Sequence, residues 1–261
     1  MENGGRRIKE GLEKAGQGKK PLITIITAVF NGERYLARAI ESVKRLSFRD
    51  IEYIIIDGGS TDATLSIIKS YEDFVDLWIS EPDKGISDAF NKGIKESHGD
   101  YIAFLNCDDW YEEDALSSVI RTLDDDMTIV CGSINLISGV NSESVKVHRS
   151  DPGRLNQTMR IAHPASIVPS KLFSVVGLFS EDLPVAMDYD LFLRAKIAGF
   201  RFSVTEVIIT NHQLGGVSSD FTTVLRYEKK VKDKNLGKRI SHLLWYLLNL
   251  TYYRISILYK S

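Results

Sequence analysis

Three short runs constrain this chain more than anything else in it. Leu22-Ile-Thr-Ile-Ile-Thr-Ala-Val-Phe30, Ile51-Glu-Tyr-Ile-Ile-Ile56 and Tyr101-Ile-Ala-Phe-Leu105 are rich in β-branched and aromatic residues and almost wholly apolar. A strand with one face in water alternates apolar and polar residues. A continuous apolar run of this length is instead buried on both faces, as in a parallel sheet covered by helices on each side. Each run also stops abruptly at polar residues: Asn31-Gly32, Asp57-Gly58-Gly59 and Asn106-Cys107-Asp108-Asp109.

The segments between the runs carry the helical period. In residues 33–46 the apolar positions are Leu36, Ala39, Ile40 and Val43, one face of a helix. Ser60-Thr61-Asp62 offers N-cap residues for a helix running to about Tyr71. Residues 75–80 read as a further short strand and 85–97 as a helix. The order β-α-β-α-β-α-β with short connections predicts an α/β fold, a Rossmann-like, mostly parallel sheet flanked by helices. Ligands of such sheets bind outside the carboxyl ends of the strands. Asn31, Asp57, Asp83 and residues 106–109 all fall there. Further on, helices are expected over 114–123, 171–176 and 186–198, strands over 127–131, 200–204 and 207–210, and irregular β structure over 133–148.

Size and charge narrow the function. A chain of 261 residues, 43% hydrophobic and 26% charged, suits one large domain with an appendage. A net charge of -2 argues against nucleic acid as a partner, because no basic excess exists to neutralise its phosphates. The two cysteines, Cys107 and Cys131, read as reduced core residues of a cytoplasmic protein. Residues 1–20 are polar, without the apolar run of a signal peptide. They are expected to be a flexible tail with a short helix over 7–15.

Asp108 and Asp109 stand out chemically. Paired carboxylates at the end of a buried strand repel each other and resist leaving water, and a divalent cation would compensate both. Mg²⁺ in particular is held by one or two carboxylates plus substrate phosphates. The competing reading is that these acids cap the following helix. Asp57, with its glycines, suits contact with a nucleotide base or ribose, or a simple turn. Lys84 can meet phosphate, and Asp88 and Asn91 lie three apart on one helical face, open to a nucleotide, a sugar or solvent. Of Asp188 and Asp190 only one can serve a site, since they point to different faces; Arg194 lies four beyond Asp190 and suits an ion pair with it. His163 and His212 are isolated, each a metal ligand, a substrate contact or a structural residue. Residues 215–218, Gly-Gly-Val-Ser, suit a loop that closes over a ligand.

Residues 240–259 are long enough to span a membrane, but His242, Asn249 and Arg254 interrupt them. Trp245, Tyr246, Tyr252, Tyr253 and Tyr259, with Lys238, Arg239, Arg254 and Lys260, suit a helix lying in a membrane interface. A helix packed on its own domain or at a homodimer contact is the other reading.

Five motifs then fall in order: Thr27-Ala-Val-Phe-Asn-Gly32, Ile56-Asp-Gly-Gly-Ser-Thr-Asp-Ala-Thr64, Ser80-Glu-Pro-Asp-Lys-Gly-Ile-Ser-Asp-Ala-Phe-Asn-Lys-Gly93, Phe104-Leu-Asn-Cys-Asp-Asp109 and Met187-Asp-Tyr-Asp-Leu-Phe-Leu-Arg194. Together they resemble the family-two glycosyltransferases of GT-A fold, in the branch found in bacterial exopolysaccharide and colanic-acid-type clusters. The resemblance covers residues 21–220. It implies a GT-A catalytic domain, with residues 21–110 as the nucleotide-sugar half and 111–220 as the acceptor half, followed by a C-terminal helical segment over 221–261.

It further implies inverting transfer from a UDP-, GDP- or dTDP-linked sugar to a hydroxyl of a glycan or lipid-linked glycan. The setting implied is cell-surface polysaccharide assembly, in the cytoplasm or peripherally on the inner face of the membrane. By resemblance Asp57 contacts the base and Asn106 the ribose or phosphate region, and Ala28, Asn31, Asp88 and Asn91 complete the donor side. Asp108 coordinates Mg²⁺ or Mn²⁺ bridging the diphosphate, and Asp188 is the general base. Asp109, Asp190, Lys84, His163 and His212 are further candidates. Two positions depart from the family pattern: Asn106 stands where Asp is usual, and Met187 where Glu is frequent. They leave room for a catalytically silent relative that binds a nucleotide sugar or a partner. A sugar nucleotidyltransferase is the other rival, but Phe30-Asn-Gly-Glu-Arg34 lacks the glycine-rich basic loop that class needs after its first strand.

Overall fold

In the computed structural model the described residues are 1–11, 22–123, 125–138, 143–215 and 220–258. The apolar runs form the centre of one sheet. β1 (Glu2–Gly4), β2 (Ile23–Val29), β3 (Ile51–Asp57), β4 (Leu77–Ser80), β5 (Tyr101–Asn106), β6 (Trp110–Tyr111), β7 (Thr128–Ser138), β9 (Ser166–Pro169) and β10 (Arg201–Gln213) lie in the order β1-β4-β3-β2-β5-β9-β7-β10-β6, and β8 (Glu143–Arg149) pairs with β7. The β4-β3, β3-β2, β2-β5 and β7-β10 pairs are parallel. The short β9 joins the two parallel blocks by antiparallel pairing with β5 and β7.

Burial on both faces explains the unbroken apolar character of the central strands. Along β2, Ile23, Ile25 and Val29 enter one core, while Ile26 and Ala28 enter the other. α2 (Leu36–Arg45), α3 (Thr64–Ser70) and α5 (Ala115–Val119) cover the first face. α4 (Ile86–Glu96), α6 (Lys171–Val176) and α7 (Met187–Ile197) cover the second. α4 sits close against the sheet because Gly93 has no side chain; a Cβ there would come within 2.4 Å of Ile26 Cγ2.

Some of these expectations need correction. The first residues are not a frayed tail. β1 adds an antiparallel strand to the β4 edge, and α1 (Arg6–Lys9) follows it. Arg7 is buried and reaches the Glu96 carbonyl at 2.8 Å and Glu52 at 3.3 Å. Nothing in Glu-Asn-Gly suggests a strand by propensity, because edge pairing here is a backbone interaction. Of the helix expected over 7–15, α1 ends at Lys9 with Glu10 as its C-cap, and residues 12–15 lie outside the described residues. The irregular β structure expected over 133–148 is the antiparallel β7–β8 pair, whose register shifts between Leu136 and Ile137. The two strands expected over 200–210 are one, β10, with its register shifting between Val204 and Thr210. At the C-terminal end no helix among the described residues is long and apolar enough to cross a membrane, and α9 (Ile240–Leu258) packs beside α8 (Phe221–Leu236), one of the two readings that its polar interruptions left. His242 Nδ1 lies 2.9 Å from Asp233, and the Phe221 and Tyr253 rings are 4.7 Å apart.

Candidate functional site

Register brings the polar strand ends to one level. Ala28 pairs with Ile56 and Asn106, Val29 with Asp57, and Asp57 with Ser80. The ends of β2, β3, β4 and β5 therefore form one polar rim at the carboxyl edge of the sheet.

On the donor side of that rim several candidates are already engaged. Asp57 is fully buried, and its carboxylate accepts from the Ser60 amide at 3.2 Å, Ser60 Oγ at 2.5 Å and Ser80 Oγ at 2.7 Å. Gly58 leaves room for Asp83, whose Oδ2 would lie 2.4 Å from a Cβ at that position. Asn31 adopts a left-handed φ of 49° and joins the β2 and β3 loops. Its amide donates to Ser60 Oγ at 2.7 Å, and its Oδ1 accepts from the Thr61 amide at 2.9 Å. Asp62 accepts from the Thr64 amide at 3.0 Å from one residue ahead of the N-cap of α3, Ala63, which makes no side-chain cap hydrogen bond. Asp88 accepts from the Lys84 amide at 3.1 Å, and the Lys84 ammonium points to Glu181 at 3.5 Å. Asn91 departs most from the expectation of ligand contact. It is buried, and both ends of its amide bind the Phe179 backbone, at 3.0 and 2.9 Å, so it braces the loop before α7.

The paired acids divide. Asp109 is fully buried and fully engaged: it accepts from Asn106 Nδ2 at 2.9 Å and the Gln213 amide at 3.1 Å, and lies 2.9 Å from His212 Nδ1. Burial alone would lower the His212 pKa, but the Asp109 hydrogen bond and charge hold it above its ordinary value. Asp109 thus ties β5 to the end of β10. Asn106, one of the two family departures, is the neutral donor this carboxylate needs.

Asp108 is the opposite case. It is half-buried, and among the described residues no other side chain donates to its carboxylate. Burial and the neighbouring Asp109 raise its pKa. A desolvated carboxylate beside a like charge favours a cation. Among the described residues no group of three or more His, Cys, Asp or Glu side chains is arranged to hold a metal by itself. The donor set at Asp108 therefore fits a hard cation with one protein carboxylate and the remaining ligands supplied by a phosphate group or water.

Arg38 has no distinguishing mark in the sequence. It sits on the polar flank of α2, yet its Nη2 donates to the Asp108 carbonyl at 2.8 Å, and its guanidinium stacks 3.7 Å from the centroid of the Trp110 ring. It clamps the turn that carries Asp108. Cys107, in the same turn, is inert: burial and the acids push its thiol up to about 12.

Across the sheet α7 presents the second acid pair, and here too one member is structural. Asp190 is fully buried, with Arg194 at 2.8 Å, Ser180 Oγ at 2.8 Å, Asn235 Nδ2 at 2.9 Å and Lys234 at 3.4 Å. Its lone pairs are committed, which removes it as a candidate base. Asp188 is half-buried and accepts only from the Tyr189 amide, at 2.8 Å, among the described residues. The helix turns in at Ala186, a non-glycine residue at φ 64°, a conformation that costs on the order of 1 kcal/mol for a residue with a Cβ. Met187, the other family departure, is a core residue: it is buried and receives the Ser87 hydroxyl on its sulfur at 2.8 Å.

His163 links the two halves. It is buried among Phe90, Phe104, Phe179 and Phe192, stacked on Phe104 at 5.1 Å, and both Asp188 and Asp109 act on it electrostatically. Its Nε2 has no hydrogen-bond partner among the described residues. Burial lowers its pKa below the ordinary 6.5. Below pH 6.5 the unfolded chain binds this proton and the native chain resists it, so stability falls as the pH drops from 6.5 toward the native pKa. The slope approaches about 1.4 kcal/mol per pH unit. His163→Phe, compared with the parent by thermal melting between about pH 5 and pH 7, should flatten that acid slope.

Part of the loop expected over 215–218 lies outside the described residues.

Comparison with known proteins places this site in a family. The glycosyl transferase family 2 model matches residues 24–180. An uncharacterized glycosyltransferase of Rickettsia felis is 30% identical over 204 residues, covering 72% of this chain and 34% of that protein. The chain spans between 28% and 62% of the length of the rickettsial relatives it matches. Among solved structures, S. aureus TarS in complex with UDP-GlcNAc superposes with a TM-score of 0.61 at 19% identity, over 85% of this chain and 69% of that one. The mannosyltransferase PcManGT from Pyrobaculum calidifontis, in complex with GDP-Man and Mn2+, gives a TM-score of 0.62 at 15% identity, over 94% and 70%. These likenesses show the GT-A fold. The family match runs from β2 through the rim and the Asp108 turn to the Asn91-braced loop, and the chain belongs to glycosyl transferase family 2.

Proposed function

We propose that this chain is the catalytic part of a metal-dependent, inverting glycosyltransferase that moves a sugar from a nucleoside-diphosphate sugar to a glycan or lipid-linked glycan hydroxyl. One observation carries the reading. Each of two acid pairs contains one carboxylate consumed by the fold and one left available: Asp108 in the turn after β5, and Asp188 at the start of α7. Family membership and the donors named for TarS and PcManGT support it.

Asp108 would hold Mg²⁺ or Mn²⁺, which when bound neutralises charge on the leaving diphosphate. The rim at the ends of β2, β3 and β5 would seat the nucleoside. Asp188 would accept the proton of the acceptor hydroxyl as it attacks the anomeric carbon. Asp109, Asn106 and His212 position the Asp108 turn, and Asp190 with Arg194 positions the start of α7.

Thermal melting with a panel of UDP-, GDP- and dTDP-sugars, each with Mn²⁺ or with chelator, tests the reading. At a hundredfold excess over its dissociation constant, a true donor stabilises by about 2.7 kcal/mol, and the shift should require the metal. Absence of a metal-dependent shift with every nucleoside diphosphate would overturn it.

A further inference from the structure

α9 leaves one face uncovered. Its inner side meets α8 through His242, Trp245 and Tyr253. Its outer side exposes Ile240, Leu243, Leu244, Leu247, Leu248 and Tyr252, at 78%, 46%, 54%, 46%, 70% and 75% of their surfaces. No Asp, Glu, Lys or Arg occurs from residue 240 to residue 253, so this face is uncharged; Ser241 and Thr251 are its small exposed polar residues, and Thr251 Oγ1 donates to the Leu247 carbonyl at 2.9 Å. A contiguous apolar face of this kind marks an interaction surface.

The neighbouring helix says what the partner is. Arg226, Lys230 and Lys234 recur every four residues along α8, one face of the helix. With Lys229 and Lys238 they line a shallow depression of about 400 Å³ that contains a single acid, Asp233. Lys230 and Lys234 have acidic neighbours in Asp182 and Asp190. Arg226 and Lys238 have no ion-pair partner among the described residues, and Arg226 is exposed. An uncharged apolar face beside a cationic one matches a surface that is apolar inside and anionic at its headgroups. A second copy of this chain would answer the apolar face but would bring an identical cationic depression with it.

We infer that α8 and α9 form a platform that docks this protein on an anionic lipid surface, with the outer face of α9 in the acyl boundary and the cations of α8 on the headgroups. α9 lies in the interface rather than across it, since it is not long and apolar enough to span.

Flotation of the full chain with vesicles tests this, using phosphatidylcholine alone and phosphatidylcholine with about one third phosphatidylglycerol. The protein should float with the anionic vesicles, and high salt should weaken this. Leu244→Glu/Leu248→Glu and, separately, Arg226→Glu/Lys238→Glu should each reduce vesicle binding by about tenfold or more. Both variants change exposed side chains, so their melting temperatures without vesicles should match the parent's. The inference is overturned if the parent floats with neither vesicle, or if both variants bind as the parent does. It is also overturned if light scattering shows a dimer that the leucine variant dissociates while vesicle binding is absent.

Discussion

Asp188→Asn should lower sugar transfer by roughly 10²–10⁴-fold and leave donor binding in place. Asparagine has the size of aspartate, and its amide oxygen can still accept from the Tyr189 amide, the one hydrogen bond that Asp188 makes among the described residues. The helix start, braced by Asp190 and Arg194, is untouched. What disappears is the ability to take a proton. Loss of a positioned general base lowers turnover by roughly 10²–10⁴-fold. Donor binding should be unchanged in the metal-dependent melting shift. Asp190→Asn should behave differently: it removes a fully buried charge bonded to Arg194 and Asn235 and should lower stability by about 3 kcal/mol. Measuring turnover, donor shift and melting temperature on both variants separates base from brace. Normal turnover in Asp188→Asn with any acceptor would refute the assignment.

Asp108→Ala has the second largest effect, with the opposite pattern. Metal-stimulated donor binding should fall by more than about 100-fold, since loss of even an outer partner of a metal ligand costs 10–100-fold. The same change should raise the melting temperature of the metal-free protein. Asp108 is a partly desolvated carboxylate next to Asp109, and its pKa is raised for both reasons, so its charge works against the fold until a cation arrives. A variant that loses the donor shift while gaining intrinsic stability is hard to attribute to misfolding. Titration calorimetry with Mn²⁺ and a nucleoside diphosphate, alongside melting without metal, gives both readouts. Retained metal-dependent binding would reassign the cation to another group.

The departures at Asn106 and Met187 do not speak for a silent relative. Asn106 supplies an amide donor to Asp109 at 2.9 Å, where a second acid would repel it. Met187 fills the core at the α4–α7 contact and takes the Ser87 hydroxyl. Both have structural employment that leaves Asp108 and Asp188 unchanged.

Much of this was legible in the chain. Burial on two faces demands unbroken apolar strands, and helices must show a 3.6-residue period, so the sheet, its helices and the rim of polar strand ends follow from local pattern. So did the residues at the rim, because strand ends are where such sheets bind ligands. Other features had no local signal. Asn91 looked like a ligand contact on a helix face, but its amide holds Phe179, 88 residues away. Arg38 carried no mark in the sequence, but it clamps a turn 70 residues away. Glu2–Gly4 looked disordered, and becomes a strand because β4 offers an unpaired edge.

By itself, then, the sequence determined the layered α/β architecture, the family and the two acid pairs, all of which rest on periodicity and local motif. Only the tertiary structure decided which member of each pair is available. A carboxylate's role depends on the donors that surround it in space. Asp109 is spent on His212 and the Gln213 amide from β10, and Asp190 on Arg194 and on Asn235 from α8. Those partners, apart from Arg194, lie 45 or more residues away and could be counted only once the chain was folded.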